Sequence, residues 1–86
     1  MTEPLAPTAD FTFSAADLDV TFTDASSDPD SSIASWSWSF GDGASSTAQS
    51  PSHTYSSAGS YSVTLTVTDN DDATGSTTQI VSVTAP

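Results

Sequence analysis

The sequence predicts an all-β protein, folded as an antiparallel β-sandwich of roughly six to seven strands. Apolar residues alternate with serine and threonine in several short segments, which is typical of strands with one buried and one solvated face. Clusters of glycine, proline, serine and aspartate interrupt these segments about every ten residues, as turns do in β-sandwiches. No segment of the sequence shows the period of about 3.6 residues that an amphipathic helix requires.

The strongest strand pattern is SWSWSFGDG, at residues 35–43. Trp36, Trp38 and Phe40 lie two residues apart and serines separate them, so the three aromatic side chains share one face of a strand. A Gly-Asp-Gly segment follows at once and predicts a tight turn, because glycine tolerates backbone angles that other residues avoid. A chain of 86 residues forms one domain, and we expect its single core to form around this strand.

The part before this strand divides into a lead-in and two further strands. Residues 1–6 are predicted to be a linker, because they contain proline and show little pattern, and residues 7–86 are predicted to form the domain. The first residues also lack the basic and apolar run of a signal peptide. Two strands are predicted between residues 11 and 23, followed by an acidic, serine-rich loop at residues 24–32.

The part after this strand contains a second strong pattern. Residues 44–52 have only a weak strand pattern, and Pro51 predicts an edge strand or a loop there. Residues 61–67 alternate strictly between apolar and hydroxyl side chains. Tyr61 follows Gly59 and is predicted either to hydrogen-bond the backbone across this turn, as a tyrosine corner, or simply to pack in the core.

The last strand is predicted at residues 77–84. Ile80 breaks the alternation in it and indicates a β-bulge or a side chain that covers a sheet edge. The predicted core consists of the side chains that the alternation turns inward: Phe11, Phe13, Val20, Phe22, Trp38, Phe40, Tyr61, Val63, Leu65, Val67, Val81 and Val83.

The charge balance excludes two classes of partner. Eleven acidic residues and no lysine or arginine give a formal net charge of −11. Such a polyanion repels phosphate backbones and anionic lipid headgroups, so nucleic acid and bare membrane are not expected partners. The acidic excess suits a salty medium or bound divalent cations, or it serves only to keep a secreted protein soluble. The chain has no cysteine, so no disulfide can brace it.

Three spaced motifs occur in order along the chain: Asp-Pro-Asp at residues 28–30, WSFGDG at residues 38–43 and HTYSSAGSYSVTLTVTDND at residues 53–71. Together they resemble the polycystic kidney disease (PKD) domain. The family pattern has an aspartate-proline-aspartate loop, then W-D-F-G-D-G, then H-x-Y-x-x-x-G-x-Y-x-V-x-L-x-V-x-D. This chain departs from the pattern at Ser39, where aspartate is common, and at Ser31, where glycine is common. The resemblance, over about residues 7–84, implies an immunoglobulin-like β-sandwich.

A catalytic role is not predicted. His53 is the only histidine, and it lies in a segment that the PKD family keeps as structure. The serines lack the context of an activated nucleophile, and the scattered aspartates do not single out a pair for glycoside hydrolysis. We therefore expect that the protein is not an enzyme.

Calcium is the one cofactor that the sequence suggests, and none is required. Calcium takes about six to eight oxygen ligands, and two loops supply clustered carboxylates without forming an EF-hand. Some PKD domains bind calcium near the aspartate-proline-aspartate loop, so the resemblance implies Asp28 and Asp30 as metal ligands. The alternative is that these aspartates only cap backbone amides in turns.

The two tryptophans are predicted to differ in role. Trp38 matches the core tryptophan of the PKD family. Trp36 has the same parity but begins the strand, next to the acidic loop, where a sandwich opens to solvent. An indole ring can stack on proline rings or sugar faces and carries one donor, which suggests Trp36 as a ligand-binding residue. The alternative is that Trp36 is also core.

The resemblance implies a non-catalytic accessory module of a secreted bacterial enzyme such as a protease, collagenase or chitinase. We expect a monomeric, extracellular module that tethers its parent's catalytic domain to an insoluble polymer, with collagen first and chitin second. The alternatives are a structural spacer and a protein–protein interaction module that binds no polymer.

Overall fold

The computed structural model describes residues 6–28, 33–70 and 72–85. These residues form two antiparallel sheets, a three-stranded sheet of order β1-β2-β5 and a four-stranded sheet of order β4-β3-β6-β7. They include no helix long and apolar enough to cross a membrane. The predicted β-sandwich is confirmed, with seven strands in the described residues: β1 Phe11–Ala16, β2 Asp19–Asp24, β3 Ile33–Ser39, β4 Ser45–Ser46, β5 Ser52–Thr54, β6 Gly59–Asp69 and β7 Thr74–Val83.

The core lies between the two sheets, where alternate side chains of facing strands meet. Trp38 is opposite Leu65 in the ladder between β3 and β6, and these two side chains are fully buried. Around them the other buried apolar residues form one cluster: Phe11, Val20, Phe22, Phe40, Tyr55, Val63, Val67, Val81 and Val83. Ten of the twelve predicted core residues are therefore buried.

The two exceptions have different causes. Phe13 was expected in the core, but 36% of its surface is exposed. It points to the same side as Phe11, yet it lies on β1, an edge strand that pairs only with β2 among the described residues. Tyr61 is half-buried because its hydroxyl group reaches out to the turn before β6. Tyr55, which was not in the predicted core, is fully buried.

The last strand begins earlier than predicted, at Thr74. Its ladder with β6 runs from the pair Gly59–Val83 to the pair Thr68–Thr74 without a register shift. The β-bulge that Ile80 suggested is therefore absent from this strand. Ile80 points away from the core, on the outer face of an edge strand, and 60% of its surface is exposed.

The described residues just before β1 connect the two sheets. Thr8 pairs with Ser27 through two backbone hydrogen bonds of 2.8 and 3.0 Å. The carbonyl oxygen of Pro7 lies against Gly75 of β7, where a Cβ atom would collide with it. The side-chain amide of Gln79 donates to the carbonyl of Phe11 at 2.6 Å, which connects β7 to the start of β1.

Candidate functional site

The sequence predicts Trp36 at the start of its strand, but the structure places it as the fourth of the seven residues of β3. Trp36 is on β3, and Asp28 is in the loop that precedes it. Both are half-buried. Asp30, the second predicted calcium ligand, lies outside the described residues, so its position relative to Asp28 stays a prediction.

Trp38 is a core residue, as the sequence predicted. Its ring contacts Phe11 edge-on, with centroids 4.9 Å apart, and Phe22 at 5.3 Å. Its indole N–H donates to the carbonyl of Ala48 at 2.9 Å, which satisfies the only polar group of the side chain. Every part of Trp38 is thus committed to the fold.

Trp36 has the same parity but a different environment. It is opposite Val67 in the ladder and packs against the edge of the core, yet it keeps part of its ring at the surface. Its indole nitrogen is buried, and no hydrogen-bond acceptor reaches it within the described residues. The surface that Trp36 presents is therefore ring carbon, and the donor that made it attractive from the sequence points inward.

The carboxylate of Asp69 shapes the turn between β6 and β7. Asp69 is buried, and its Oδ1 accepts the N–H of Ala73 at 2.9 Å. Its own N–H donates to the carbonyl of Ala73, also at 2.9 Å. Aspartate often stabilises turns through such bonds. The sequence alone would equally allow Asp69 to be a metal ligand.

Calcium binding stays a prediction. Among the described residues, no group of three or more histidine, cysteine, aspartate or glutamate side chains could hold a metal ion. Asp30 and Asp71 are not among them. Asp28 by itself does not assemble the oxygen shell that calcium takes.

The feature that sequence reasoning missed is a stack of rings beneath the Gly-Asp-Gly turn. The imidazole of His53 lies on Phe40, with centroids 4.4 Å apart and planes 6° from parallel. Tyr55 meets the other side of this stack edge-on at 4.6 Å and is itself stacked on Tyr61 at 4.0 Å. The H-x-Y spacing was a signal for it, because residues two apart in a strand share a face.

Polar contacts hold this stack in place. His53 Nε2 lies 2.7 Å from Asp42 Oδ2, and the N–H of Ala44 donates to Asp42 Oδ1 at 3.0 Å. Burial raises the pKa of Asp42, but the bonds from His53 and Ala44 outweigh it and hold the pKa below its ordinary value. The hydroxyl of Tyr55 donates to the carbonyl of Phe40 at 2.8 Å. Burial, with the nearby charge of Asp42, raises the pKa of Tyr55 to about 12.

Tyr61 makes the backbone bond that its position predicted. Its hydroxyl donates to the carbonyl of Ser57 at 2.8 Å, across the turn that precedes β6. The family motif residues His53, Tyr55 and Tyr61 are therefore explained by packing and hydrogen bonding around one turn. The hydroxyl of Tyr61 also lies 3.2 Å from the hydroxyl of Ser57, so this contact belongs to the same turn.

Comparison with known proteins identifies the family. The family model described as "PKD domain" matches residues 2–85. The chain belongs to the PKD domain family. The PKD1 domain of Vibrio anguillarum Epp is 40% identical, with a TM-score of 0.96 over 98% of this chain and all of that one. The PKD1 domain of the Vibrio cholerae metalloprotease PrtV is 42% identical, with a TM-score of 0.92 over 94% of this chain and all of that one.

A third similar structure comes from a study of carbohydrate-binding modules of the β-sandwich superfamily. It is 40% identical, with a TM-score of 0.89, and the match covers 98% of this chain and 36% of that chain. No significant match is found among curated proteins. The immunoglobulin-like sandwich implied by the sequence motifs is thus the fold of this PKD domain.

Proposed function

We propose that this PKD domain is a non-catalytic accessory module of a secreted enzyme, which it holds on an insoluble protein substrate, collagen first. The likeness to PKD domains of Vibrio proteins, one of them a metalloprotease, supports this proposal. A module of this kind adds no chemistry. It raises the effective concentration of the catalytic domain near the bonds of an immobile polymer.

Histidine, the residue type most often used as a catalytic base, has a structural role in the described residues. The only histidine contacts Asp42 and two aromatic rings, which fixes it in the fold. The described part of the molecule has no enclosed pocket in which a substrate could be shielded from water. An open surface suits contact with a polymer that is itself solid.

The half-buried ring of Trp36 is the observation on which the binding proposal rests. Trp36 and Trp38 share one face of β3. Trp36 is half-buried, whereas Trp38 is fully buried in the core. Rigid aromatic surface is effective in recognition because little conformational entropy is lost when it is covered. Since the indole nitrogen faces inward, we propose that Trp36 contacts proline rings or sugar faces through its ring carbons.

The test is a pull-down on insoluble collagen and on chitin with matched variants. Trp36→Ala removes the ring, and Trp36→Leu keeps apolar packing on β6 while removing the flat surface. Ser14→Ala alters an exposed residue on β1, in the other sheet, and is expected to bind as wild type does. Circular dichroism checks that each Trp36 variant is folded. If either folded variant is retained on the polymer as strongly as the wild type, Trp36 does not contact the polymer.

Two other functions remain distinguishable by experiment. Chitin or a related sugar polymer is favoured by the similarity to a structure from a study of carbohydrate-binding modules, and selective retention on chitin would support it. A spacer, or a protein–protein module, is favoured if no polymer is bound. In that case deletion of the domain would leave the parent enzyme's activity on insoluble substrate unchanged.

We also propose that calcium binds at Asp28 and Asp30, an inference that rests on the family resemblance. The measurement is thermal unfolding in calcium and in chelator at fixed ionic strength. A bound ion raises the midpoint because it binds only the folded state. An unchanged midpoint would exclude a tight site and leave the aspartates as turn residues.

A further inference from the structure

The outer face of the four-stranded sheet carries no charge. The chain has eleven acidic residues, yet every residue that β3, β6 and β7 turn outward along their regular ladders is a serine, a threonine or Ile80. By contrast, the outer face of the other sheet includes Asp19. The uncharged outward residues are Ser35, Ser37, Ser39, Ser60, Ser62, Thr64, Thr66, Thr68, Thr74, Ser76, Thr78, Ile80 and Ser82.

This neutral face ends at the edge strand β7, which contacts Pro7 at Gly75 and Phe11 at Gln79. β7 is ten residues long and pairs only with β6 among the described residues. Its outward backbone groups therefore have no strand partner in that part of the chain. Edge strands are normally shielded by charged side chains, proline, bulges or short length. β7 contains no charged residue and no proline, and its ladder has no bulge.

The other three edge strands are shorter than β7. β4 has two residues and β5 has three, which is too short to template another strand. β1 is longer, but Asp10 and Asp17 flank it. β7 is thus the one edge of the described sheets that is long, neutral and regular.

The exposed apolar surface is on the same side of the sandwich. Ile80 and Phe13 are the exposed large hydrophobic residues of the described chain. Ile80 is in the second half of β7, and Phe13 is on β1, the edge strand of the other sheet that lies against β7. A strand added at the edge of the sheet would cover an exposed apolar side chain as large as that of Ile80.

We propose that the free edge of β7 takes up an extended polypeptide segment of a partner protein by β-strand addition. The segment's backbone pairs with β7, and an apolar or β-branched side chain of the segment packs on Ile80. The segment is neutral or basic, because the rest of the molecule repels acidic chains. A second copy of this domain is disfavoured for the same reason, since each copy carries a net charge of −11. This site is separate from Trp36 and does not depend on its role.

The test uses a fluorescent peptide of about ten residues, the length of β7, in which threonine and valine alternate. A matched peptide carries N-methyl groups on every amide, which removes the backbone hydrogen-bond donors from both of its edges. We expect saturable binding of the first peptide only. Amide hydrogens of β7 should gain protection from exchange when it binds, whereas those of β1 should not.

Two lysine variants separate the edge from the face. Ile80→Lys places a charge at the β7 edge, and Ser37→Lys places the same charge on the same outer face, two strands away. Both positions are exposed, so both variants should fold. We expect Ile80→Lys to weaken peptide binding by roughly tenfold or more, and Ser37→Lys to change it by less than about twofold.

Three results would overturn the proposal. The first is no saturable binding, and the second is equal binding of the methylated peptide, which would exclude backbone pairing. The third is a concentration-dependent dimer in sedimentation that Ile80→Lys abolishes, which would assign the edge to a second copy of this chain. A pull-down that loses polymer binding only in Trp36 variants would leave this proposal unaffected.

Discussion

The hydroxyl of Tyr55 donates a hydrogen bond of 2.8 Å to the backbone carbonyl of Phe40, and both residues are buried. The bond connects the segment before β6 to the end of β3, fifteen residues earlier. This bond stabilises the buried part of the ring stack, and the contact between His53 and Asp42 stabilises its exposed part. The Gly-Asp-Gly turn is therefore fixed by contacts that are distant in sequence.

Tyr55→Phe should lower the free energy of unfolding by about 1–3 kcal/mol, because the carbonyl of Phe40 is left buried without its donor while the ring packing is retained. Urea unfolding, followed by tryptophan fluorescence, measures this. Tyr61→Phe is the matched control, since its bond to Ser57 is exposed and water can replace the hydroxyl. An equal or larger loss in the control would contradict the assigned role of Tyr55.

Stability should fall at alkaline pH because of Tyr55. Its pKa rises from an ordinary value of 10.0 to about 12 in the folded protein. The unfolded chain therefore loses this proton first, and the contribution is fully present below pH 10.0 and lost as the pH rises towards about 12. Urea titrations across this range should show a downward slope that is smaller in Tyr55→Phe. Identical slopes in the two proteins would count against a raised pKa.

Gly41 and Gly43 should respond differently to alanine. Both have positive φ, +86° and +95°, so each substitution strains the backbone by about 1–2 kcal/mol. A Cβ at Gly41 would also lie 2.6 Å from the carbonyl oxygen of Ser62, whereas a Cβ at Gly43 meets open space. Gly41→Ala should therefore be clearly the more destabilising in thermal unfolding. Similar midpoints for the two variants would mean that the approach to Ser62 relaxes at little cost.

Replacement of Trp38 by alanine should lower the free energy of unfolding more than replacement of Trp36. Trp38→Ala removes a fully buried ring and the bond to Ala48, and should cost about 3–5 kcal/mol, which is enough to unfold many small domains. Trp36→Ala should cost less, since its ring is already partly hydrated and its N–H has no acceptor within the described residues. Urea unfolding of both variants measures this. Equal losses of unfolding free energy in the two variants would mean that Trp36 stabilises the fold as much as the core residue Trp38 does.

Most of the fold could be predicted because alternation determines which face a side chain occupies. Ten of the predicted core residues are buried, and Tyr61 bonds the backbone as its position after Gly59 suggested. Alternation does not determine depth. Phe11 and Phe13 share a face, but Phe13 lies farther along an edge strand and is covered on fewer sides. For Ile80 the sequence leaves both a bulge and a sheet-edge position open, and only the ladder with β6, which has no register shift, excludes the bulge.

The sequence by itself determined the strands, the sandwich and the family, because these depend on local periodicity and on motifs that repeat a spacing. Only the tertiary structure decided what SWSWSFGDG contains: a buried Trp38 with a satisfied N–H, and a half-buried Trp36 whose N–H points inward. It also decided that His53 stacks on Phe40 and meets Tyr55 edge-on beneath the turn, and that the neutral strand β7 pairs only with β6 among the described residues. The physical reason is that parity along one strand is a local property, whereas burial and pairing depend on which strands lie opposite and beside it.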